Sequence, residues 1–321
     1  MSKGKGRYRH LFGPVPSRRF GLSLGVDLIP LKTCSFNCIF CQLGPTTRLT
    51  VDRAEYVPVS EVTAELERWS REGAKCDYVT LSGSGEPTLH SRFGEVLDFA
   101  RQLRKARTAL LTNGTLLGCE EVRKQAVRAD VVKVSLSAWD DASLRAVNRP
   151  APGIGWDDLV SGIRSFRRHF SGELWMEVFL VPGVNDDPTG VAKIAAVVDS
   201  LEPTKVHLNT AVRPAADRGI GRMSLDAMWD LARLFQSPTE VIGEYTGEEP
   251  VGTSATRDRI LDMLKRRPCT AEDLARVFGL HPNEVSKHLA KLSWQRKIAA
   301  TEVGGRKYYR ASGHDVNGGS A

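Results

Sequence analysis

Three cysteines stand close together near the start of the chain. Cys34, Cys38 and Cys41 are separated by three residues and then by two. A short loop can direct such thiolates at one metal centre, and thiolate sulfur favours zinc or an iron–sulfur cluster. A structural zinc site normally has four protein ligands, whereas a four-iron cluster held by three cysteines keeps one iron free for an outside ligand. Two alternatives stay open, a disordered segment and a zinc knuckle that borrows Cys76 or His90.

The spacing C-x3-C-x2-C, with the aromatic Phe40 just before the last cysteine, resembles the signature of the radical S-adenosylmethionine (SAM) superfamily. The resemblance implies an oxidoreductase-like, metal-binding enzyme in which SAM chelates the free iron of a single 4Fe-4S cluster. An electron from the reduced cluster breaks the sulfonium bond in that superfamily, and the resulting 5'-deoxyadenosyl radical abstracts hydrogen from the substrate. It also implies an electron donor such as flavodoxin or ferredoxin.

A glycine-rich turn follows the second predicted strand, with the sequence SGSGEPTLH at residues 82–90. Its glycines let the backbone come close to a ligand, and a lone turn of this kind is often only structural. Its position after the cysteines resembles the GGEP-type motif that holds the methionine amino group in the superfamily. The resemblance assigns Ser84, Gly85 and Glu86 to cofactor binding.

Further polar residues end later predicted strands and suit the same ligand more weakly. Asn113 follows the third strand, Ser135 ends the fourth, Glu177 lies within the fifth and Asn209 ends the sixth. Relatives carry Ser-x-Asp where this chain has Ser135 and Ser137, so Ser135 is the better candidate for the ribose hydroxyls. Each of these residues also suits a helix cap or a turn.

Longer motifs narrow the resemblance to a subgroup of the superfamily allied to the tRNA wyosine-base synthases. It covers about residues 11–215. The wyosine synthases hold a second cluster with cysteines upstream of the main motif, and this chain has none before Cys34. Neither that second cluster nor the wyosine reaction is therefore implied. The motifs are GPVPSRRFGLSLGVDLIPLKTCSFNCIFCQLG, SGSGEPTLH, KVSLSAWD, NRPAPG, LWMEVFLVPGVND and LNTAVRP.

Composition and charge limit the class of protein. The 321 residues are 41% apolar and 26% charged, and no apolar run approaches the length of a membrane span, so we expect a cytoplasmic protein. The start of the chain lacks the apolar core of a signal peptide. The three other cysteines are scattered singly, and we expect them to be small buried hydrophobes. They are Cys76, Cys119 and Cys269.

Positive charge is concentrated at the two ends of the chain. Residues 256–310 hold thirteen Lys or Arg against six Asp or Glu, and residues 1–21 hold six basic residues and no acid. A basic terminal module can bind a polyanion, although lysine-rich helices are as often simply solvated.

Helical and β-type stretches alternate in the middle of the chain, which is typical of parallel βα units. Six such units from about Leu22 predict an α/β fold, a partial (β/α)6 barrel of the radical SAM type. Catalytic groups then belong at the carboxyl ends of the strands. Four arginines near strand ends could hold a phosphate or carboxylate, or form surface salt bridges. They are Arg18, Arg19, Arg149 and Arg213.

The C-terminal part predicts helix, helix, turn, helix and hairpin, which is a small winged helix-turn-helix. A Thr270-x-x-Asp273 opening starts the second helix, Pro282 starts the third, and IAATEV and RKYYRA form the hairpin. The third helix and the wing offer side chains to nucleic acid, RNA or DNA, although this scaffold also binds proteins. The nucleic-acid candidates are Ser286, Lys287, Lys291, Arg306 and Lys307.

The predicted division has five parts: a basic N-terminal arm, the radical SAM barrel, a linker, the winged module and a flexible tail. Three functions stay open. The first is a radical SAM enzyme whose module positions the substrate, with RNA among the candidates. The second is such an enzyme acting on a small molecule or peptide, with the module contacting proteins. The third is an iron–sulfur sensor that binds DNA. The five parts are residues 1–21, 22–245, 246–255, 256–311 and 312–321.

Overall fold

Strands and helices alternate through the middle of the chain, as the hydrophobic periods predict. The computed structural model describes residues 8–17, 19–217, 219–242 and 257–312. The strands are β1 (Leu11–Ser17), β2 (Gly21–Val26), β3 (Thr33–Cys34), β4 (Arg48–Leu49), β5 (Tyr78–Leu81), β6 (Arg107–Thr112), β7 (Val131–Ser135), β8 (Glu173–Leu180), β9 (Lys205–Thr210), β10 (Thr239–Val241), β11 (Ile298–Val303) and β12 (Arg306–Ala311). The helices are α1 (Val59–Arg71), α2 (Phe93–Gln102), α3 (Glu120–Ala126), α4 (Asp141–Asn148), α5 (Trp156–Arg167), α6 (Pro188–Asp199), α7 (Leu225–Ala232), α8 (Arg257–Arg266), α9 (Ala271–Phe278) and α10 (Pro282–Trp294).

Eight strands form one open sheet in the order β1-β2-β5-β6-β7-β8-β9-β10. β1 is antiparallel to β2, and all the other neighbours are parallel. The six strands predicted from the sequence are β2 and β5 to β9, so the predicted α/β architecture is confirmed. No pairing between the two edge strands closes a barrel within the residues described. The parallel strands end at one edge, where the site lies.

The helices cover the sheet with apolar faces. In α1 the buried residues are Val59, Val62, Leu66 and Trp69, whose spacing of three or four places them on one side. Burying each such side chain contributes about 1.5–3 kcal/mol relative to leaving it exposed. They belong to a hydrophobic core that runs through the helices and the sheet.

The N-terminal end differs from the sequence prediction. Leu11–Ser17, expected within a basic arm, forms β1, and the ring of Phe12 lies where a Cβ at Gly25 would stand. The prolines of β1 are tolerated because it is an edge strand with an irregular register between Phe12 and Val15. Residues 1–7 lie outside the described part of the chain. The pairing with β2 is set by tertiary packing, which local patterns do not show.

The C-terminal module, residues 257–312, has the predicted three helices and hairpin. Thr270 and Asp273 form the predicted capping box, with backbone-to-side-chain distances of 3.1 and 3.3 Å. Gly279 ends α9 with a φ of 60°, and Pro282 begins α10. The predicted linker 246–255 lies outside the described residues, as does the predicted tail except for Ser312.

The C-terminal module packs against the start of the sheet. Val15 of β1 joins the buried core of the module. The hydroxyl of Tyr308 donates to the carbonyl oxygen of Val212 at 2.9 Å, and Nε of Arg266 lies 3.8 Å from Oδ2 of Asp27. These contacts place the module beside the carboxyl edge of the sheet. None of the described helices has the length and apolar character that crossing a membrane requires.

Candidate active site

A cavity of about 1730 Å³ lies at the carboxyl edge of the sheet. Its wall contains the three clustered cysteines, residues at or just after the ends of β5 to β9, and residues of α8, α9 and β12 from the C-terminal module. Small-molecule pockets are commonly about 300–1,000 Å³. The cavity therefore exceeds the volume of a usual single-ligand pocket.

Each clustered thiol receives a hydrogen bond or a close polar contact from a different side chain. Such donors orient sulfur ligands and lower the charge density on a bound cluster. The pairs are Asn113 Nδ2 with Cys34 Sγ at 3.7 Å, Asn148 Nδ2 with Cys38 Sγ at 3.2 Å, and Lys32 Nζ with Cys41 Sγ at 3.7 Å.

The electrostatics of the cysteine loop favour the protonated form of two of its thiols. Burial, and then the charge of Glu86, raises the pKa of the Cys34 thiol to about 12. Burial, followed by the two neighbouring thiols, also raises the pKa of Cys38. A metal centre deprotonates such ligands on binding, and three soft sulfur donors with N–H groups directed at them fit an iron–sulfur cluster. Among the described residues no group of three or more His, Cys, Asp and Glu side chains is arranged to hold a metal ion, and this finding includes the three clustered cysteines.

The fourth ligand of the zinc alternative is not offered by either proposed residue. His90 is buried, with Nε2 2.8 Å from the carbonyl oxygen of Val57 and Nδ1 accepting from the Arg92 backbone at 3.1 Å. Cys76 is also buried, and neither residue is among those that line the cavity. Of the other single cysteines, Cys269 is buried as predicted, whereas Cys119 is exposed because it precedes the first turn of α3.

Backbone hydrogen bonds join the glycine-rich turn to the cysteine loop. The backbone N–H of Lys32 donates to the Ser84 carbonyl at 2.7 Å, and that of Glu86 donates to the Thr33 carbonyl at 3.2 Å. A Cβ at Gly85 would stand 1.8 Å from the Thr33 oxygen. Only glycine allows this approach, so the turn and the loop form one unit.

The carboxylate of Glu86 is already used within the protein. Its Oε1 accepts from the backbone N–H and hydroxyl of Thr88 at 3.0 and 2.7 Å and from the Thr112 hydroxyl at 2.6 Å. Its Oε2 accepts from the Asn113 backbone at 2.8 Å. Glu86 lines the cavity, but these four hydrogen bonds commit its side chain to joining the glycine-rich turn to the end of β6. Burial outweighs them and raises its pKa.

The side chain of Ser84 is likewise occupied. Its hydroxyl and its backbone N–H both donate to Asp27, the latter at 3.1 Å. Asp27 also lies beside Arg266 of the module. The hydroxyl and the N–H of Ser84 are therefore both engaged, and the group left to contact a ligand is its carbonyl oxygen, which already accepts from the Lys32 N–H. The turn and the C-terminal module share one buried carboxylate.

Two other predicted cofactor residues lie on the cavity wall. The ring of Phe40 stacks on Phe179 near the end of β8, with centroids 4.0 Å apart and planes 10° from parallel. Ser135 ends β7, and its hydroxyl makes no hydrogen bond within the described residues. Ser137 is buried, and its hydroxyl accepts from the Phe179 backbone at 2.9 Å. Of the two serines, Ser135 has the hydroxyl that faces the cavity.

A buried charge network crosses the floor of the cavity. The carboxylate of Glu177 accepts hydrogen bonds from the side chains of Arg19 and Lys133, and from Asn209 Nδ2 at 3.2 Å. Burial would raise the pKa of Glu177, but the two cations outweigh it and the pKa is lowered. Asn209 is thus used to hold Glu177, and the guanidinium of Arg19 is paired with it.

The predicted substrate arginines do not form one group. Arg18 lies outside the described residues. Arg149 forms a bidentate ion pair with Asp217 at 3.0 and 2.6 Å, away from the cavity, which is the surface salt bridge the sequence left open. Arg19 and Arg213 line the cavity.

The predicted nucleic-acid residues fall into two places. Ser286, Lys287 and Lys291 are exposed on α10, outside the cavity wall. Arg306 and Lys307, at the tip of the hairpin, are exposed and also line the cavity rim. The predicted residues of the hairpin therefore lie at the cavity, whereas those of α10 do not.

Sequence reasoning missed three residues that contact the site. Lys32 and Asn148 donate to cluster thiols, and Lys133 neutralises Glu177. A lysine within the apolar run VVKVS was a usable signal, because a charge buried in a strand requires a partner. Lys32 and Asn148 stand beside or within quoted motifs, but nothing in their spacing shows that they reach sulfur.

Comparisons with known proteins agree with this geometry. A family model described as the radical SAM superfamily matches residues 28–193, and one described as a helix-turn-helix domain matches residues 253–293. A UPF0026 protein of Helicobacter pylori strain J99 is 31% identical over 308 residues, which are 94% of this chain and 97% of that protein.

Two further likenesses are more limited. A protein of Brachyspira hyodysenteriae named GTPase Obg is 33% identical over 308 residues, 95% of this chain, but the chain spans only 45% of its length. The crystal structure of Streptococcus suis SuiB bound to S-adenosylmethionine matches with a TM-score of 0.51 at 14% identity, covering 68% of this chain and 50% of that chain. At that identity the likeness shows the fold alone.

Proposed function

Because this chain belongs to the radical SAM superfamily, we propose that it cleaves S-adenosylmethionine reductively at a single 4Fe-4S cluster and removes a hydrogen atom from a substrate bound in the same cavity. The observation that carries the proposal is the shared cavity wall of Cys34, Cys38 and Cys41, the glycine-rich turn and the strand ends. When bound, the reduced cluster supplies the electron that splits SAM into methionine and a 5'-deoxyadenosyl radical.

The chain's own residues would position and shield this chemistry. Lys32, Asn113 and Asn148 hold the three thiols in place through their N–H groups. The backbone of the glycine-rich turn would face the methionine part of SAM. The stacked rings of Phe40 and Phe179 offer an apolar wall for adenine, and Ser135 offers a hydroxyl to the ribose.

Anaerobic reconstitution tests this proposal directly. The full chain should take up about four irons and yield 5'-deoxyadenosine from SAM under a strong reductant. Cys34→Ala, Cys38→Ala and Cys41→Ala should each lose both properties. Cys119→Ala is the matched control, because Cys119 is exposed and does not line the cavity. If the reconstituted chain binds iron but never cleaves SAM, the proposed enzyme activity is rejected.

RNA is the substrate class that we propose. The exposed side chains of Lys287 and Lys291 lie one helical turn apart on α10, and Trp294, three residues further, is 83% exposed. Basic side chains beside an exposed aromatic suit the phosphates and unstacked bases of single-stranded RNA. The resemblance of the sequence motifs to the tRNA wyosine-base synthases also supports RNA as the substrate class, but it does not identify the reaction. We assign neither the wyosine product nor a second cluster.

Mass spectrometry of RNA and metabolites from a strain that lacks the gene would test the substrate class. A lost RNA modification supports RNA, and a lost small-molecule or peptide product supports the runner-up, in which the module contacts proteins. The regulator alternative predicts sequence-specific DNA binding that changes with the state of the cluster. A gel-shift titration of the reconstituted protein would measure that binding.

A further inference from the structure

Two arginines lie on opposite sides of the contact between the segment after β9 and the C-terminal module. Arg213 follows the end of β9, and the residue before it, Val212, accepts the hydrogen bond from Tyr308 at 2.9 Å. Arg267 belongs to the segment between α8 and α9. Both arginine side chains line the cavity that the cysteines also line.

Backbone pairing fixes Arg267 at this junction. The N–H of Cys269 donates to the Tyr309 carbonyl at 3.0 Å, and the N–H of Tyr309 donates to the Cys269 carbonyl at 2.8 Å. The neighbour of Tyr309 on β12 is Tyr308, which contacts Val212. A short, ordered path therefore connects the two arginines.

Neither guanidinium forms an ion pair or a hydrogen bond with an acidic side chain among the described residues. Nε of Arg213 is buried without a hydrogen-bond partner, and the side-chain contact of Arg267 is a weak one, from Nη2 to Met263 Sδ at 3.9 Å. The nearby acid, Asp273, is used in the capping box with Thr270. Burial, and then the charge of Arg267, lowers the pKa of Arg213.

A desolvated guanidinium near a second cation is unfavourable for the folded protein, and the charge of Asp273 offsets only part of that cost. Two guanidinium forks match the oxygens of a phosphate, which carries up to two negative charges and accepts bidentate hydrogen bonds. A carboxylate brings only one charge and two oxygens.

We propose that Arg213 and Arg267 form a subsite that binds a phosphate group of the substrate at the junction between the sheet and the C-terminal module. Only the assignment of the phosphate to the substrate rests on the function proposed above. The subsite would anchor the substrate from the module side while the reacting carbon faces the cysteines. It gives the module a role inside the cavity, separate from that of α10.

Thermal unfolding of the full-length holoprotein with inorganic phosphate as the probe tests the subsite. Phosphate, compared with chloride and acetate at equal ionic strength, should raise the unfolding temperature through preferential binding to the folded state. Arg213→Gln should weaken phosphate binding at least about tenfold, as expected for loss of charge-assisted hydrogen bonds. Without phosphate, the same variant should unfold at an equal or higher temperature, because the like-charge repulsion is gone.

Further variants keep the test decisive. Arg267→Gln should also weaken phosphate binding, and it tests the subsite by itself if Arg213→Gln fails to fold. Arg213→Lys should keep part of the phosphate effect, since it keeps the charge and loses the fork. Arg233→Gln is the control, because Arg233, at the C-terminal end of α7, is 81% exposed and pairs with Asp230 at 3.5 Å.

Three results would overturn the subsite: no phosphate effect on the wild type, an equal effect in both glutamine variants, or an equal effect of acetate. SAM cleavage is measured on the same preparations. Cleavage without phosphate binding would remove the subsite and leave the proposed function standing. Phosphate binding without SAM cleavage would keep the subsite and remove the proposed function.

Discussion

The two ends of the cavity differ in how completely their polar groups are paired. At the end of the cavity lined by the sheet, the barrel end, Glu86 accepts four hydrogen bonds and Glu177 neutralises two cations. At the module end, Nε of Arg213 is buried without a hydrogen-bond partner, and no ion pair joins Arg213 or Arg267 to an acid among the described residues. A wall whose charges are neutralised within the protein is preorganised, whereas cations without an ion-pair partner can take an anionic ligand. The difference indicates that cofactor chemistry belongs to the first end and substrate anchoring to the second.

The largest expected effect comes from breaking the pairing at the barrel end. Glu177→Gln leaves Arg19 and Lys133 buried around a neutral amide, in a site where the side chain of Glu177 is only 11% exposed. Removing one partner of a buried ion pair costs about 3–5 kcal/mol. We expect that loss in the free energy of unfolding, measured by urea denaturation of the apoprotein at pH 7.

Two comparisons decide whether the charge is responsible. Glu67→Gln removes an exposed i,i+4 partner of Arg71 and should change stability by at most about 0.5 kcal/mol. The double variant Lys133→Met with Glu177→Gln should recover part of the loss, because it removes one uncompensated cation. Equal losses in Glu177→Gln and Glu67→Gln would show that the network is not a buried one.

Gly85→Ala tests whether the turn and the cysteine loop form one unit. The added methyl would overlap the Thr33 carbonyl, a backbone atom that cannot rotate away. Overpacking of this kind costs about 1–3 kcal/mol. We also expect lower iron content after reconstitution, because the displaced Thr33 precedes Cys34.

Gly118→Ala provides the control for this substitution. A Cβ at Gly118 meets nothing within 4 Å, and its backbone is not left-handed. It should keep the stability and the iron content of the wild type. Normal cluster loading in Gly85→Ala would show that the two segments are independent.

The sequence predicted the barrel end better than the module end. Cys34, Cys38 and Cys41 and the glycine-rich turn carry local motifs, and the spacing of their strands follows from hydrophobic period. Lys32 and Asn148 were missed, since the contact of a side chain with sulfur depends on how distant loops fold together. The proximity of Arg213 and Arg267 depends on docking between two parts of the chain, which no local pattern encodes.

The charge network around Glu177 also predicts a smaller effect on stability, which depends on pH. The lowered pKa of Glu177 keeps it ionised in the folded apoprotein, while in the unfolded chain it takes up a proton near its ordinary value of 4.5. Its stabilising contribution is therefore complete above that pH and is lost as the pH falls below it. The stability difference between wild type and Glu177→Gln should shrink steadily from about pH 5 downward. A constant difference between pH 7 and 3.5 would contradict the lowered pKa.

The smallest effect is expected on the outer side of the module, where the cations are solvated. Lys287 and Lys291 are exposed on α10, so phosphate contacts there are screened by salt, unlike the buried contact proposed for Arg213. Substituting both lysines by Gln should reduce the slope of log affinity for single-stranded RNA against log salt by about 1.4, which is about 0.7 for each lost phosphate contact. SAM cleavage should stay unchanged.

Substituting Lys75 and Lys124, two exposed lysines of the barrel, should leave the slope as it is. An unchanged slope in the α10 variant would move RNA contact, if RNA binds, to the cavity rim at Arg306 and Lys307.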